Sequence, residues 1–158
     1  GLLTAEILGY QDRRSTPRFA HEAGGALLLF DRLYEVRRYA QHGRFYFPED
    51  EMRRFGVGPG DLLAAQTTDR VRQLFAFQAD RIREYHRRAL EQLTNADRDA
   101  QSSLLIRLEL AMTLLAEMSG EGYRLLEQRT SLTPLRKLWL AWRLRRRERR
   151  LAATKPIA

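Results

Sequence analysis

Apolar residues recur every three or four positions along most of this chain, and helix-ending signals separate the runs. That pattern dictates helices that each bury one face. Residues 1–9 read as the end of a helix stopped by Gly9. Thr16-Pro17 opens the next, a capping hydroxyl followed by the ring that suits a first turn. Phe19, Ala23, Ala26, Leu27, Phe30, Leu33 and Tyr34 then keep helical spacing, so one helix is expected to about Gln41, ending at Gly43. GRFYFP (43–48) reads as an extended loop. Glu49, Asp50 and Glu51 after Pro48 predict a short helix with its acids at the positive end. Gly56, Gly58, Pro59 and Gly60 break it, and Asp61 is expected to cap a further short turn.

Two long helices are predicted next. Over 68–93, Val71, Phe75, Ile82, Tyr85 and Ala89 form a stripe, with polar Gln78 inside it. Asn95 is the expected cap of the following helix, where Leu104, Leu108, Ala111, Leu115 and Met118 make a seam for helix pairing. Gly120 and Gly122 loosen the chain before a last helix from Ser131 or Thr133-Pro134 to RLRRRERR (143–150). The expectation is an all-α helical bundle over 1–150, without repeat or linker, and a frayed tail at 151–158.

Composition narrows the chemistry. The 158 residues include no cysteine, which removes disulfides, thiolate zinc sites and thiol nucleophiles. His21, His42 and His86 lie too far apart to read as a metal motif, and no Gly-rich phosphate loop appears. The net charge of +8 suggests a polyanionic partner. It is not evenly spread. From Arg136 onward there are nine cations and one anion, whereas residues 1–135 hold 19 of each. No run is apolar enough to span a membrane. The start GLLTAEILGY lacks a basic leader pattern, although a first residue of Gly leaves the native start open.

Three constellations are candidates for function. Asp31 and Glu35 are four residues apart, so their carboxylates share a helix face and suit Mg²⁺. Asp31 equally suits a surface pair with Arg38 or Arg32. Arg44 and Tyr46, in the loop after that helix, are candidates to fork and orient a phosphate. The alternative is a loop whose Tyr46 and Phe47 plug the core while Arg44 is solvated. Trp139 and Trp142 beside Arg143, Arg146 and Arg147 suit an anionic membrane surface. A packed helix with a solvated end stays open there, and nucleic acid is the least favoured partner.

Several separated motifs also resemble one family. At GLLTAEILGY, GRFYFPEDEMRRFGVGPGDLL (43–63) and SLTPLRKLWLAW (131–142), the chain is similar to the squalene/phytoene synthase family. Within it, the resemblance is to bacterial presqualene diphosphate synthases of hopanoid pathways. FQADRIREYHRRALEQL (77–93) and DRDAQ (97–101) fit as well. The resemblance covers about 1–145.

It implies an all-α prenyl diphosphate synthase fold, Mg²⁺ held by carboxylates on facing helices, and head-to-head condensation of two prenyl diphosphates such as farnesyl diphosphate. Arg44 and Tyr46 match the family loop. Two departures accompany the match. The family's earlier aspartate-rich helix is expected to precede Gly1. The motif Gln-x-x-Asn-x-x-Arg-Asp-x-x-x-Asp falls on Leu28, Asp31, Tyr34, Glu35 and Tyr39. Glu35 can still ligate a metal, but a tyrosine neutral at pH 7 is a poor ligand for Mg²⁺. A family tyrosine falls at Ala111. The expected function is therefore squalene, hopanoid or carotenoid biosynthesis, with activity reduced in this chain. The alternative is a non-catalytic relative acting as a membrane-surface binding or assembly protein. The expected location is cytoplasmic, with peripheral attachment to the inner membrane open and no nucleic-acid partner.

Overall fold

A computed structural model describes residues 15–95 and 97–127. These form six α-helices and no strand: α1 (Ser15–Tyr34), α2 (Val36–Gln41), α3 (Glu49–Arg54), α4 (Pro59–Leu63), α5 (Asp69–Gln92) and α6 (Ser102–Gly120). Pro17 lies in the first turn of α1, where its missing N–H has no carbonyl to lose.

The long helices make the core. α1 packs chiefly against α5 and also against α6. Phe19, Ala20, Ala23, Ala26 and Leu33 of α1 are buried, as are Val71, Leu74, Phe75, Ile82 and Ala89 of α5. Each fully buried Leu or Phe contributes about 1.5–3 kcal/mol relative to exposure. Small residues bring the axes close. A Cβ placed on Gly25 would lie 2.8 Å from two ring carbons of Tyr85. The α6 stripe is buried as its spacing predicts, from Leu104 through Leu108, Ala111 and Leu115 to Met118. Gln78 is buried too; its amide donates to Glu51 of α3 at 2.5 Å, and the same carboxylate pairs with Arg81. A carboxylate reaching in from another helix is how this polar residue is satisfied inside an apolar stripe.

Two local expectations need correction, and a third holds. The helix expected to run unbroken to Gln41 divides at Glu35, whose φ of −97° and ψ of 17° leave the helical region. Backbone bonds persist on either side, from Glu35 N–H to Asp31 and from Tyr39 N–H to Glu35, so the chain bends without unwinding. Glutamate is a good helix former and signals no such break. Asp61 caps its short helix as expected, from inside α4, by accepting the Gly58 N–H at 2.7 Å. Asn95 does not start α6. The Thr94 hydroxyl bonds the Asp97 carboxylate at 2.9 Å, a local side-chain contact that favours turns, and the helix begins only at Ser102.

The segment after α6 is tied to the body. Thr67 donates its N–H (2.7 Å) and hydroxyl (2.6 Å) to Glu127, and Arg37 donates to the Leu126 carbonyl at 2.8 Å. Burial pushes the Glu127 carboxyl upward, but the Thr67 bonds prevail and hold it below its ordinary value.

Candidate functional site

Helix α2 ends in a glycine turn that aims the candidate loop. Gly43 has φ +69°, a backbone shape that costs other residues strain. Its N–H bonds Ala40, and the Arg44 N–H bonds Tyr39, both at 2.9 Å. This pairing closes the helix and places Arg44 directly beyond it. Three residues on, Phe47 is buried against Phe75 of α5, with ring centroids 6.1 Å apart. Arg44 and Tyr46 are thus exposed on a loop anchored at both ends. Phe47 plugs the core as the alternative reading expected, but Tyr46 does not: it is 40% exposed.

The loop meets the bent helix. Arg32, Tyr39, Arg44 and Tyr46 line one small cavity, with Val36, Phe45, Phe47 and Leu62 as its apolar wall. The Tyr39 and Tyr46 rings meet edge to face at 4.9 Å, and the Arg32 guanidinium lies 4.9 Å over the Tyr46 ring. Such cation–π contact orients a guanidinium without cancelling its charge. Among the described residues, neither Arg32 nor Arg44 forms an ion pair with a carboxylate.

The candidate metal ligands have other partners. Asp31 Oδ2 accepts the Tyr39 hydroxyl at 2.5 Å. Glu35 is buried and its Oε2 meets Arg38 Nε at 2.9 Å. Neither pairing is the Asp31–Arg32 or Asp31–Arg38 contact that spacing suggested. The bond to Asp31, with desolvation and that carboxylate's charge behind it, pushes the Tyr39 phenol above its usual value. Tyr39 therefore keeps its proton, and Asp31 its donor, through the neutral range. Mg²⁺ requires near-octahedral oxygen ligands and a largely retained water shell. Among the described residues no three His, Asp or Glu side chains gather to hold a metal ion. One oxygen of each candidate ligand, Asp31 Oδ2 and Glu35 Oε2, is thus taken by a neighbouring side chain.

Two contacts joined partners that the sequence did not pair. His86 on α5 and Glu109 on α6 approach to 2.8 Å between Nε2 and Oε1, 23 residues apart in the chain. Glu51, Gln78 and Arg81 form the network described above. Trp139, Trp142, Arg143, Arg146 and Arg147 lie outside the described residues, as do 1–14 and 128–158 as a whole. Among the described residues no helix is long and apolar enough to cross a membrane.

The squalene/phytoene synthase family pattern matches residues 1–136. This chain belongs to that family. A 15-cis-phytoene synthase of Synechocystis sp. is 31% identical over 156 residues, covering 90% of this chain and 46% of that protein. The 15-cis-phytoene synthase of Synechococcus elongatus is 28% identical over 149 residues, with 87% and 48% covered. The chloroplastic phytoene synthase 2 of Solanum lycopersicum is 26% identical over 143 residues, with 87% and 46% covered. The chain spans about half the length of these curated relatives. Membership in the squalene/phytoene synthase family places the chain in isoprenoid biosynthesis and accounts for its all-α architecture.

Proposed function

We propose that this chain supplies a diphosphate-contacting half of a squalene/phytoene synthase, whose chemistry joins two prenyl diphosphates head to head. The observation that carries this reading is the anchored loop, where Arg44 and Tyr46 share a cavity with Arg32. Guanidinium forks and a phenol on an exposed loop suit the oxygens of a diphosphate. The resemblance to presqualene diphosphate synthases suggests farnesyl diphosphate as the substrate. Farnesyl diphosphate should raise the melting temperature of the full chain in buffer with Mg²⁺, and much less so in Arg44→Ala. No shift in the unaltered chain would refute the reading.

A second reading is a family member without catalysis of its own, active at a membrane surface. The engagement of Asp31 by Tyr39 and of Glu35 by Arg38 favours it. Accordingly, the purified chain with farnesyl diphosphate and Mg²⁺ should form no presqualene diphosphate; measurable product would overturn this second reading. The pattern of Trp139, Trp142, Arg143, Arg146 and Arg147 supports the membrane part. The chain should sediment with anionic but not neutral liposomes, and salt should release it. Equal binding to both lipids would rule out attraction by these arginines.

A further inference from the structure

We infer that Glu51 is a positioning residue: its carboxylate, held by Gln78 and Arg81 of α5, sets the direction of the loop that carries Arg44 and Tyr46. This rests on the diphosphate reading above for what the loop does, but not for how the loop is held.

Helix α3 cannot hold its own place. It has six residues, and no side chain caps its start at Pro48. An isolated helix needs about 12–15 residues to be even marginally stable. α3 follows the loop directly, so its placement dictates where Tyr46 and Phe47 can lie. It opens with three acids, Glu49, Asp50 and Glu51, all suited to the positive end of a helix. Glu49 and Asp50 are exposed, as that role allows. Glu51 turns inward, with 13% of its side chain exposed. Taking a carboxylate out of water is costly and is offset only by good partners. Glu51 has them. The buried Gln78 amide donates to its Oε2 at 2.5 Å, and the Arg81 guanidinium donates to its Oε1. Gln78 and Arg81 are three residues apart on one face of α5, so a single carboxylate spans both. The joint continues past the end of α3. There the Arg54 guanidinium and the Phe55 ring meet Phe77 of α5 at 5.3 and 5.4 Å, and Arg81 lies over the same ring at 5.1 Å.

Apolar anchoring does not do this work alone. Phe47 is buried against Phe75, and Met52 is buried on α3. Burial is non-directional, so a ring or a thioether keeps most of its gain when it turns or slides. Hydrogen bonds weaken steeply when misaligned. Two donors on one carboxylate therefore fix the rotation and register of α3, and the loop leading into it takes its direction from them. Tyr46 lies two residues before Pro48. Its ring meets Tyr39 edge to face at 4.9 Å, with the Arg32 guanidinium over it. A rotation of α3 would carry Tyr46 away from both.

Replacing the carboxylate and amide by apolar groups separates cohesion from positioning. In Glu51→Leu/Gln78→Leu no polar pair is left to bury, and Arg81, with 34% of its side chain exposed, can turn to water. Melting temperature is therefore expected to hold. The ring resonances of Tyr46 report the neighbouring Tyr39 ring; they are assigned with Tyr46→Phe in the full chain carrying labelled tyrosine. In the double variant they should move toward the free-tyrosine value, and most of the melting shift given by farnesyl diphosphate should be lost. Glu49→Gln, at an exposed acid of the same turn, should change neither. Unmoved Tyr46 resonances in a double variant with the unaltered circular dichroism spectrum would overturn the inference and leave the network as cohesion only. If the double variant does not fold, Glu51→Gln keeps the side chain's size but removes the charge that holds Arg81, and unmoved resonances there would overturn it equally. If farnesyl diphosphate gives no melting shift in the unaltered chain, the diphosphate reading fails, while the resonances still decide whether Glu51 directs the loop.

Discussion

Replacing Phe75 with Ala should destabilise the protein by about 3–5 kcal/mol, the range for emptying a buried aromatic position. Phe75 has no exposed surface and faces Phe47, so the change also removes an aromatic contact worth about 0.5–1.5 kcal/mol beyond burial. Domain stability is about 5–15 kcal/mol in total, so the loss is a large fraction of it. Its consequence reaches the site. Phe47 anchors the far end of the loop bearing Arg44 and Tyr46, and an empty position beneath it frees that end to move. Urea unfolding should show a lower midpoint with an unchanged slope. Pyrophosphate affinity should fall even where the variant remains folded. Phe77→Ala is the comparison: Phe77 is only half-buried, between Arg54 and Arg81, and should lose less. Equal losses at both positions would contradict the assigned core.

Gly25→Ala is the second large effect, and two opposing terms decide its sign. Alanine in a helix interior is favoured over glycine by about 1 kcal/mol. The new methyl would sit 2.8 Å from Cδ1 and Cε1 of Tyr85, whereas carbon atoms settle at about 3.5–4.0 Å. The ring cannot swing aside like the end of a flexible chain, so α1 and α5 must separate. Overpacking of this kind costs about 1–3 kcal/mol and outweighs the helix gain. A lower melting temperature is expected. Because the clash is with Tyr85, the same substitution in a Tyr85→Leu background should cost little, giving a clear coupling energy in a double-mutant cycle. A more stable Gly25→Ala protein would mean the two helices do not cross at this point.

The site was only partly legible from the chain. Arg44 and Tyr46 stand out because GRFYFP interrupts helical spacing and matches a family loop. Their surroundings do not stand out. Tyr39 reads as a lost metal ligand, whereas in the fold it is the partner of Asp31, eight residues earlier. That contact spans the bend at Glu35, which no proline or glycine announces. Arg32 carries no signal as a site residue; it becomes one because Tyr46 returns beneath it. Gln78 is the intermediate case. Its polarity inside an apolar stripe marks a need for a partner, but nothing marks Glu51, 27 residues away, as that partner.

The residues alone determined an all-α chain, the stripes on α5 and α6, the stop at Gly43 and the family. They also placed the cationic surplus after residue 135, leaving a charge-balanced body before it. These are local or additive properties: helical period and net charge need no knowledge of neighbouring elements. Tertiary structure decided where α1 bends, which helix stands over Gly25, which ring anchors the loop and which groups hold Asp31 and Glu35. Those outcomes depend on distances between distant segments. Packing, desolvation and hydrogen bonding there select one partner from several that the chain makes chemically possible.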